Sequence, residues 1–180
     1  MKNILLALLA GTILTVPVAD LANAKTLVAY YSLTGNTEKA AKIIQKQTEA
    51  DLYKIETITP YPEEYSAQVK LAKEELESGY LPPIKPLPEN IKDYDIIFIG
   101  SPVWWGTMAT PVRTFLSSDA LAGKTVVPFV THGGGGADNS FTDTAELCKN
   151  CHVITDGWSG FKSFTFGLSG WIEKIMAKKE

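Results

Sequence analysis

The segment YYSLTGNTEKAA, from Tyr30 to Ala41, gathers polar side chains at Ser32, Thr34, Asn36 and Thr37 around one glycine, Gly35, with Leu33 between them. Hydroxyls, an amide and the backbone N–H groups of a glycine turn can converge on one cluster of oxygens. The loop itself carries no Lys or Arg. The anion suited to it is therefore a terminal monophosphate, held by hydrogen bonds and a helix dipole without a salt bridge. Its spacing matches neither the G-x-x-x-x-G-K-[ST] triphosphate loop nor the dinucleotide G-x-G-x-x-G. The same residues would also serve as ordinary helix caps.

Two further segments carry chemistry of a complementary kind. In GSPVWWGTMATPVRTFL, Pro102 and Val103 lead into tandem indoles, Trp104 and Trp105, followed by Gly106. Flat aromatic faces can stack a planar ring, and two adjacent indoles cannot easily both point into a core. In THGGGG, Thr131 and His132 precede Gly133, Gly134 and Gly135, a stretch whose backbone can approach a ring edge closely. His132 could donate a proton or a hydrogen bond there, or simply satisfy local backbone groups. Separately, Cys148-Lys149-Asn150-Cys151-His152 fits the C-x-x-C-H pattern of haem attachment. A local disulfide, structural or redox-active, is favoured in an oxidising compartment, with two unpaired buried thiols as the plainer alternative; a zinc site lacks a fourth ligand. Haem is disfavoured because His152 would have to leave a strand to reach iron.

The elements that must position these loops follow from periodicity. TLVAYYS, DLYKIETI, YDIIFIGS, TVVPFVTH and HVIT read as five strands. Pro128 sits awkwardly inside the fourth, since proline is normally excluded from strand interiors. Helices are expected over 38–48, with Ala40, Ala41, Ile44 and Gln47 on one face, and over 63–78, with Tyr65, Val69, Ala72 and Leu76. Others are expected over 111–116, 140–148 and 169–179. Residues 81–88 are too rich in proline for regular structure. Strands alternating with helices imply an α/β fold, a five-stranded parallel sheet with helices on both faces. Ligands in such sheets sit at the carboxyl ends of strands, where the three polar and glycine-rich loops fall.

Taken together, YYSLTGNTEKAA, GSPVWWGTMATPVRTFL and THGGGG resemble the flavodoxin-like family, in its short-chain, flavin mononucleotide (FMN)-binding oxidoreductase branch. The resemblance covers essentially all of the chain after residue 24. It implies that Ser32, Leu33, Thr34, Gly35, Asn36 and Thr37 hold the phosphate of non-covalently bound FMN. It also implies that Pro102, Val103, Trp104, Trp105 and Gly106 line the isoalloxazine, with Thr131, Gly133, Gly134 and Gly135 at its other edge. Carrier flavodoxins crowd acids around the flavin; here the second loop has none and the third is followed by Asp138. With that repulsion largely missing, a less extreme reduction potential is expected. An oxidoreductase passing electrons to quinone-like or other small acceptors is the leading expectation; a one-electron carrier serving a redox protein is the alternative.

The 180 residues, 45% hydrophobic and 21% charged, suit one globular domain over 25–180. At its start lie Lys2, an apolar run from Ile4 to Leu14, and Ala22-Asn23-Ala24, the pattern of a secretory signal peptide cleaved after Ala24. Pro17 and Asp20 interrupt that run short of a membrane span. The expected product is periplasmic or extracellular. Cleavage would remove one base, Lys2, and one acid, Asp20, leaving the net charge at −3. No cluster of Lys and Arg is dense enough for nucleic acid. Trp158, Phe161, Phe164 and Phe166 could contribute to the core or to a partner surface.

Overall fold

A computed structural model describes residues 24–177; the expected signal peptide lies, but for its last residue, outside the described residues. Three strands form the centre of the sheet: β1 (Thr26–Tyr30), β3 (Ile96–Trp104) and β5 (Thr125–His132). They are parallel, with Leu27 opposite Ile97 and Ile97 opposite Val126. On the far side of β1 lies β2 (Asp51–Lys54). The fifth position beside β5 is shared by β6 (His152–Val153) and β7 (Trp158–Phe161), so the order across the sheet is β2-β1-β3-β5-β6/β7.

Alternation along these strands explains why their sequences are continuously apolar. Leu27, Ala29, Ile97, Ile99, Val126 and Val130 face one core with α3 (Thr110–Leu116). Val28, Tyr30, Ile96, Phe98, Val127 and Phe129 face the other, with α1 (Asn36–Thr48) and α5 (Leu168–Met176). A sheet covered on both faces has no side free for polar residues. The remaining helices are α2 (Tyr65–Ser78) and α4 (Ser140–Leu147).

Several expectations are corrected. The helix α1 begins at Asn36 rather than Glu38, and Gln47 is exposed, its amide donating to Ser169 O at 3.1 Å. In α2 the buried positions are Ala72 and Glu75, whereas Tyr65 is 77% exposed. The second strand stops at Lys54, although Ile55 stays buried and its N–H still bonds Tyr30 O. HVIT supplies two strand residues, and WSGF, unread as a strand, supplies the rest of that position.

Pro128 accounts for that division. Thr125 N–H donates to Asp95 O on the β3 side, so odd-numbered amides of β5 face β3 and even-numbered ones face the outer strand. Position 128 thus lacks a donor on the outer side only, and the outer strand is interrupted there, between Val153 and Trp158. Proline is tolerated in a central strand because the neighbour it fails gives way.

Candidate functional site

The chain leaves β1, forms β2 on one side, and returns to form β3 on the other, so the loops after β1 and β3 diverge. A crevice opens at such a reversal, at the carboxyl ends of the strands. It is a cavity of about 460 Å³. Its walls combine residues distant in sequence: Ser32, Leu33, Thr34, Asn36 and Thr37 after β1; Pro102, Val103, Trp104 and Trp105 from β3; Thr131, His132 and Gly133 from β5.

The first loop is held open as a cradle. Gly35 caps α1 at φ 82°, a left-handed conformation that glycine adopts without a steric penalty, and its N–H donates to Ser32 Oγ at 3.1 Å. Asn36 Nδ2 donates to Thr34 Oγ1 at 3.2 Å. Lys39 N–H is bonded back to Gly35 O, whereas the amides ahead of it in α1 sit at the helix end, where no preceding turn can accept them. Thr37, fully buried, shares a 2.8 Å hydrogen bond between its Oγ1 and that of Thr131, which ties the cradle to the end of β5.

The tandem indoles lie on a hairpin where a loop was expected. β3 runs through Trp104 and turns back into β4 (Thr107–Met108) over Trp105 and Gly106. Both turn residues have positive φ, 52° and 80°, as a two-residue hairpin of right-handed twist requires. Trp104 packs edge-on against Tyr31 (5.6 Å between centroids) and Tyr61 (5.1 Å). Trp105 is 56% exposed; its Nε1–H donates to Val69 O at 3.2 Å, and Lys73 Nζ lies over its ring. One indole is thus fixed by aromatic packing and the other is presented.

Behind Trp104 the aromatic wall is braced by a buried acid. Glu75 Oε2 accepts from Tyr61 Oη at 2.5 Å and from Thr110 Oγ1, binding α2 to the start of α3. Burial raises the Tyr61 and Tyr31 phenols well above their ordinary pKa, and for Tyr61 the bond to Glu75 adds to the effect. Both rings are therefore neutral hydroxyl donors at any physiological pH.

The glycine loop is organised by His132. Its Nδ1 accepts from Gly134 N–H (3.2 Å) and Gly136 N–H (3.1 Å), so this nitrogen carries no proton in that arrangement and the available N–H is on Nε2. The ring thus satisfies local backbone groups while also lining the cavity. Gly134 and Gly135, with Gly106 and Asp138, border an adjoining depression of about 260 Å³. Gly106 is tightly placed: a Cβ there would lie 2.4 Å from Asp138 Oδ2.

Sequence reasoning missed the cavity's fourth wall. Tyr65, Gln68, Val69 and Ala72 of α2 line it, as does Lys162 just after β7. Their spacing along α2 is helical, but nothing in it distinguishes a wall from a solvent-facing side. Cys148 and Cys151 are bonded to each other, which leaves neither sulfur for a haem thioether. They precede β6, whose His152 pairs with Thr125 at the amino end of β5. The cavity lies at the carboxyl end of that eight-residue strand, roughly 23 Å away at 3.3 Å per residue. Among the described residues no group of three or more His, Cys, Asp or Glu is placed to hold a metal.

Comparison with known proteins gives this site a family. A solved structure from Bacteroides eggerthii is 33% identical over 87% of this chain and all of its own, with a TM-score of 0.75. One from Bacteroides uniformis is 28% identical over 83% of this chain and 98% of its own, at 0.74. A Lactobacillus acidophilus flavoprotein, solved in complex with FMN, is 27% identical over 82% of this chain and 98% of its own, at 0.68. The flavodoxin profile matches residues 25–175, a span that contains every wall of the cavity, and the chain belongs to the flavodoxin family.

Proposed function

We propose that the protein binds FMN non-covalently and transfers electrons to a small, quinone-like acceptor. The observation that carries this reading is the single cavity joining a monophosphate cradle on α1 to an aromatic hairpin and a glycine loop. The residues fit the group. A methyl group placed on Gly133, Gly134 or Gly135 would meet no other atom within 4 Å, so the missing side chains leave room beside the cavity for a ring edge. Ser32, Thr34, Asn36 and Thr37 would hold the phosphate, and Trp104, Trp105 and Val103 would flank the ring.

When bound, flavin supplies reversible one- and two-electron chemistry. The chain's own residues bias which of these is used. Asp138 is the acid beside the second and third loops, and among the described residues no acid lines the main cavity. Negative charge there meets little repulsion, which favours a less negative potential than in a carrier ringed by carboxylates. His132 Nε2–H, its tautomer set by the two glycine amides, is the donor available to an electron-rich atom in the cavity.

The first test is titration of the protein with FMN followed by flavin fluorescence, then steady-state turnover with NAD(P)H and quinones. Stoichiometric quenching with unaided turnover supports the reading; failure to bind FMN would sink it. A one-electron carrier is the second reading. It is favoured by Phe161, Phe164 and Phe166, which are 41%, 67% and 97% exposed on the segment that carries the cavity-lining Lys162 and offer a surface for a protein partner. A carrier would turn over only when a reductase is supplied. We also propose export, on the strength of the leader-like residues 1–24; a CxxC disulfide is in keeping with an oxidising compartment.

A further inference from the structure

The cradle after β1 contains no cation, yet the cavity does. Among the described residues lining it, Lys162 is the one Lys or Arg, and none is an acid. No carboxylate pairs with Lys162 among the described residues. Its Nζ rests instead over the ring of the preceding residue, Phe161, 5.1 Å from the centroid. A solvent-facing ammonium without a counter-ion, beside a cavity walled by neutral donors, is an arrangement suited to an anionic ligand.

Three contacts place this residue at the phosphate end of the cavity. Phe161 is in register with His132 and Gly160 with Thr131, so Lys162 leaves the sheet beside the glycine loop. Thr131 Oγ1 is bonded to Thr37 Oγ1 in the first turn of α1. Lys39, also in that turn, donates its Nζ to the O of Ser163, the residue after Lys162. The segment following β7 is therefore docked against the amino end of α1. The Lys162 backbone is itself unusual: its φ is 51°, sterically costly for a residue with a long side chain, and its N–H is bonded to His132 O at 2.8 Å. An outlier held in place at the rim of a cavity is a place where local strain serves position.

We propose that Lys162 supplies, from the opposite end of the chain, the cation that the Ser32–Thr37 loop lacks, and that it makes the site select the phosphate ester of flavin over unphosphorylated flavin. This rests on the FMN reading above. The loop's hydroxyls and amides orient the ester oxygens, and the ammonium offsets their charge. A lysine suits the task because its flexible stem reaches without imposing a fixed geometry.

Titration of the protein and its Lys162→Gln and Lys162→Arg variants with FMN and with riboflavin tests the assignment. A charge-assisted bond lost from the phosphate predicts FMN binding weaker by on the order of tenfold to a hundredfold in Lys162→Gln. Riboflavin affinity should be unchanged, which also reports an intact ring site, and Lys162→Arg should retain most of the FMN affinity. Added salt should weaken FMN binding more in the unaltered protein than in Lys162→Gln. Equal FMN affinity in Lys162→Gln, or equal weakening for FMN and riboflavin, would overturn the role of Lys162 while leaving the FMN reading intact. Failure of the unaltered protein to bind either flavin would overturn both.

Discussion

Trp105 occupies a backbone conformation, φ 52°, that costs a bulky L-residue on the order of 1–2 kcal/mol. Asn or Gly would take that turn position more cheaply. What the indole gains in return is modest within the protein: a bond from Nε1 to Val69 O and an exposed Lys73 over its face. Replacing Trp105 by Asn should therefore leave the stability of the flavin-free protein within about 1 kcal/mol of its original value, since relief of strain offsets the lost contacts. FMN affinity should fall about two- to tenfold, the range for one lost aromatic contact. Urea unfolding and fluorescence titration measure the two quantities separately. A large loss of stability with no change in affinity would show that the side chain serves the fold and not the ligand.

At the scale of elements, β3 and β5 leave no room for a side chain at one of their paired positions. Gly100 lies opposite both Tyr30 and Phe129, and a Cβ added to it would fall 2.3 Å from the Phe129 ring. Gly100→Ala should cost about 1–3 kcal/mol of stability by overpacking, read as a lower denaturant midpoint with an unchanged slope. Because Ser101 and Pro102 continue from the same strand into the cavity wall, flavin affinity should weaken in the same variant. The Cys148–Cys151 bridge makes the opposite prediction about coupling. It closes a very short segment, so its reduction should destabilise by no more than about 2 kcal/mol on loop-entropy grounds. Lying at the other edge of the sheet, it should leave FMN affinity untouched. Titration with and without a thiol reductant decides this, and a changed affinity would mean that the two edges communicate.

Across the whole molecule, burial dominates the titration of five tyrosines. Tyr30, Tyr31, Tyr53, Tyr61 and Tyr94 all have raised pKa values, with desolvation the first cause in each and nearby carboxylates adding to it. A phenol whose folded pKa exceeds its unfolded value near 10 contributes stability that is complete below that pH. As the pH rises beyond it, the unfolded chain ionises first and the folded state loses ground, until the folded values are passed. The denaturant midpoint should therefore fall between about pH 9 and about pH 11, with the tyrosinate absorbance of the buried phenols appearing together with unfolding. Ionisation of every phenol in the folded protein over that interval would contradict the burial seen for Tyr31 and Tyr61.

The sequence by itself determined the parts whose signal is local. Short apolar runs at 27–30, 96–99 and 126–130, rich in β-branched and aromatic residues, read as strands buried on both faces, and Gly35 among hydroxyls reads as a turn before a helix. These fix the fold class and the three loops at one sheet edge, and with them most of the residues that line the cavity. The tertiary structure decided what depends on pairing. The interruption opposite Pro128, the assignment of WSGF to the sheet and the hairpin beneath Trp105 follow from hydrogen bonds to a neighbour that periodicity does not name. The same holds for α2 as a wall and for Lys162 beside α1. Both are brought to the cavity by packing between segments far apart in the chain, where neither the residue type nor its spacing carries a record of the contact.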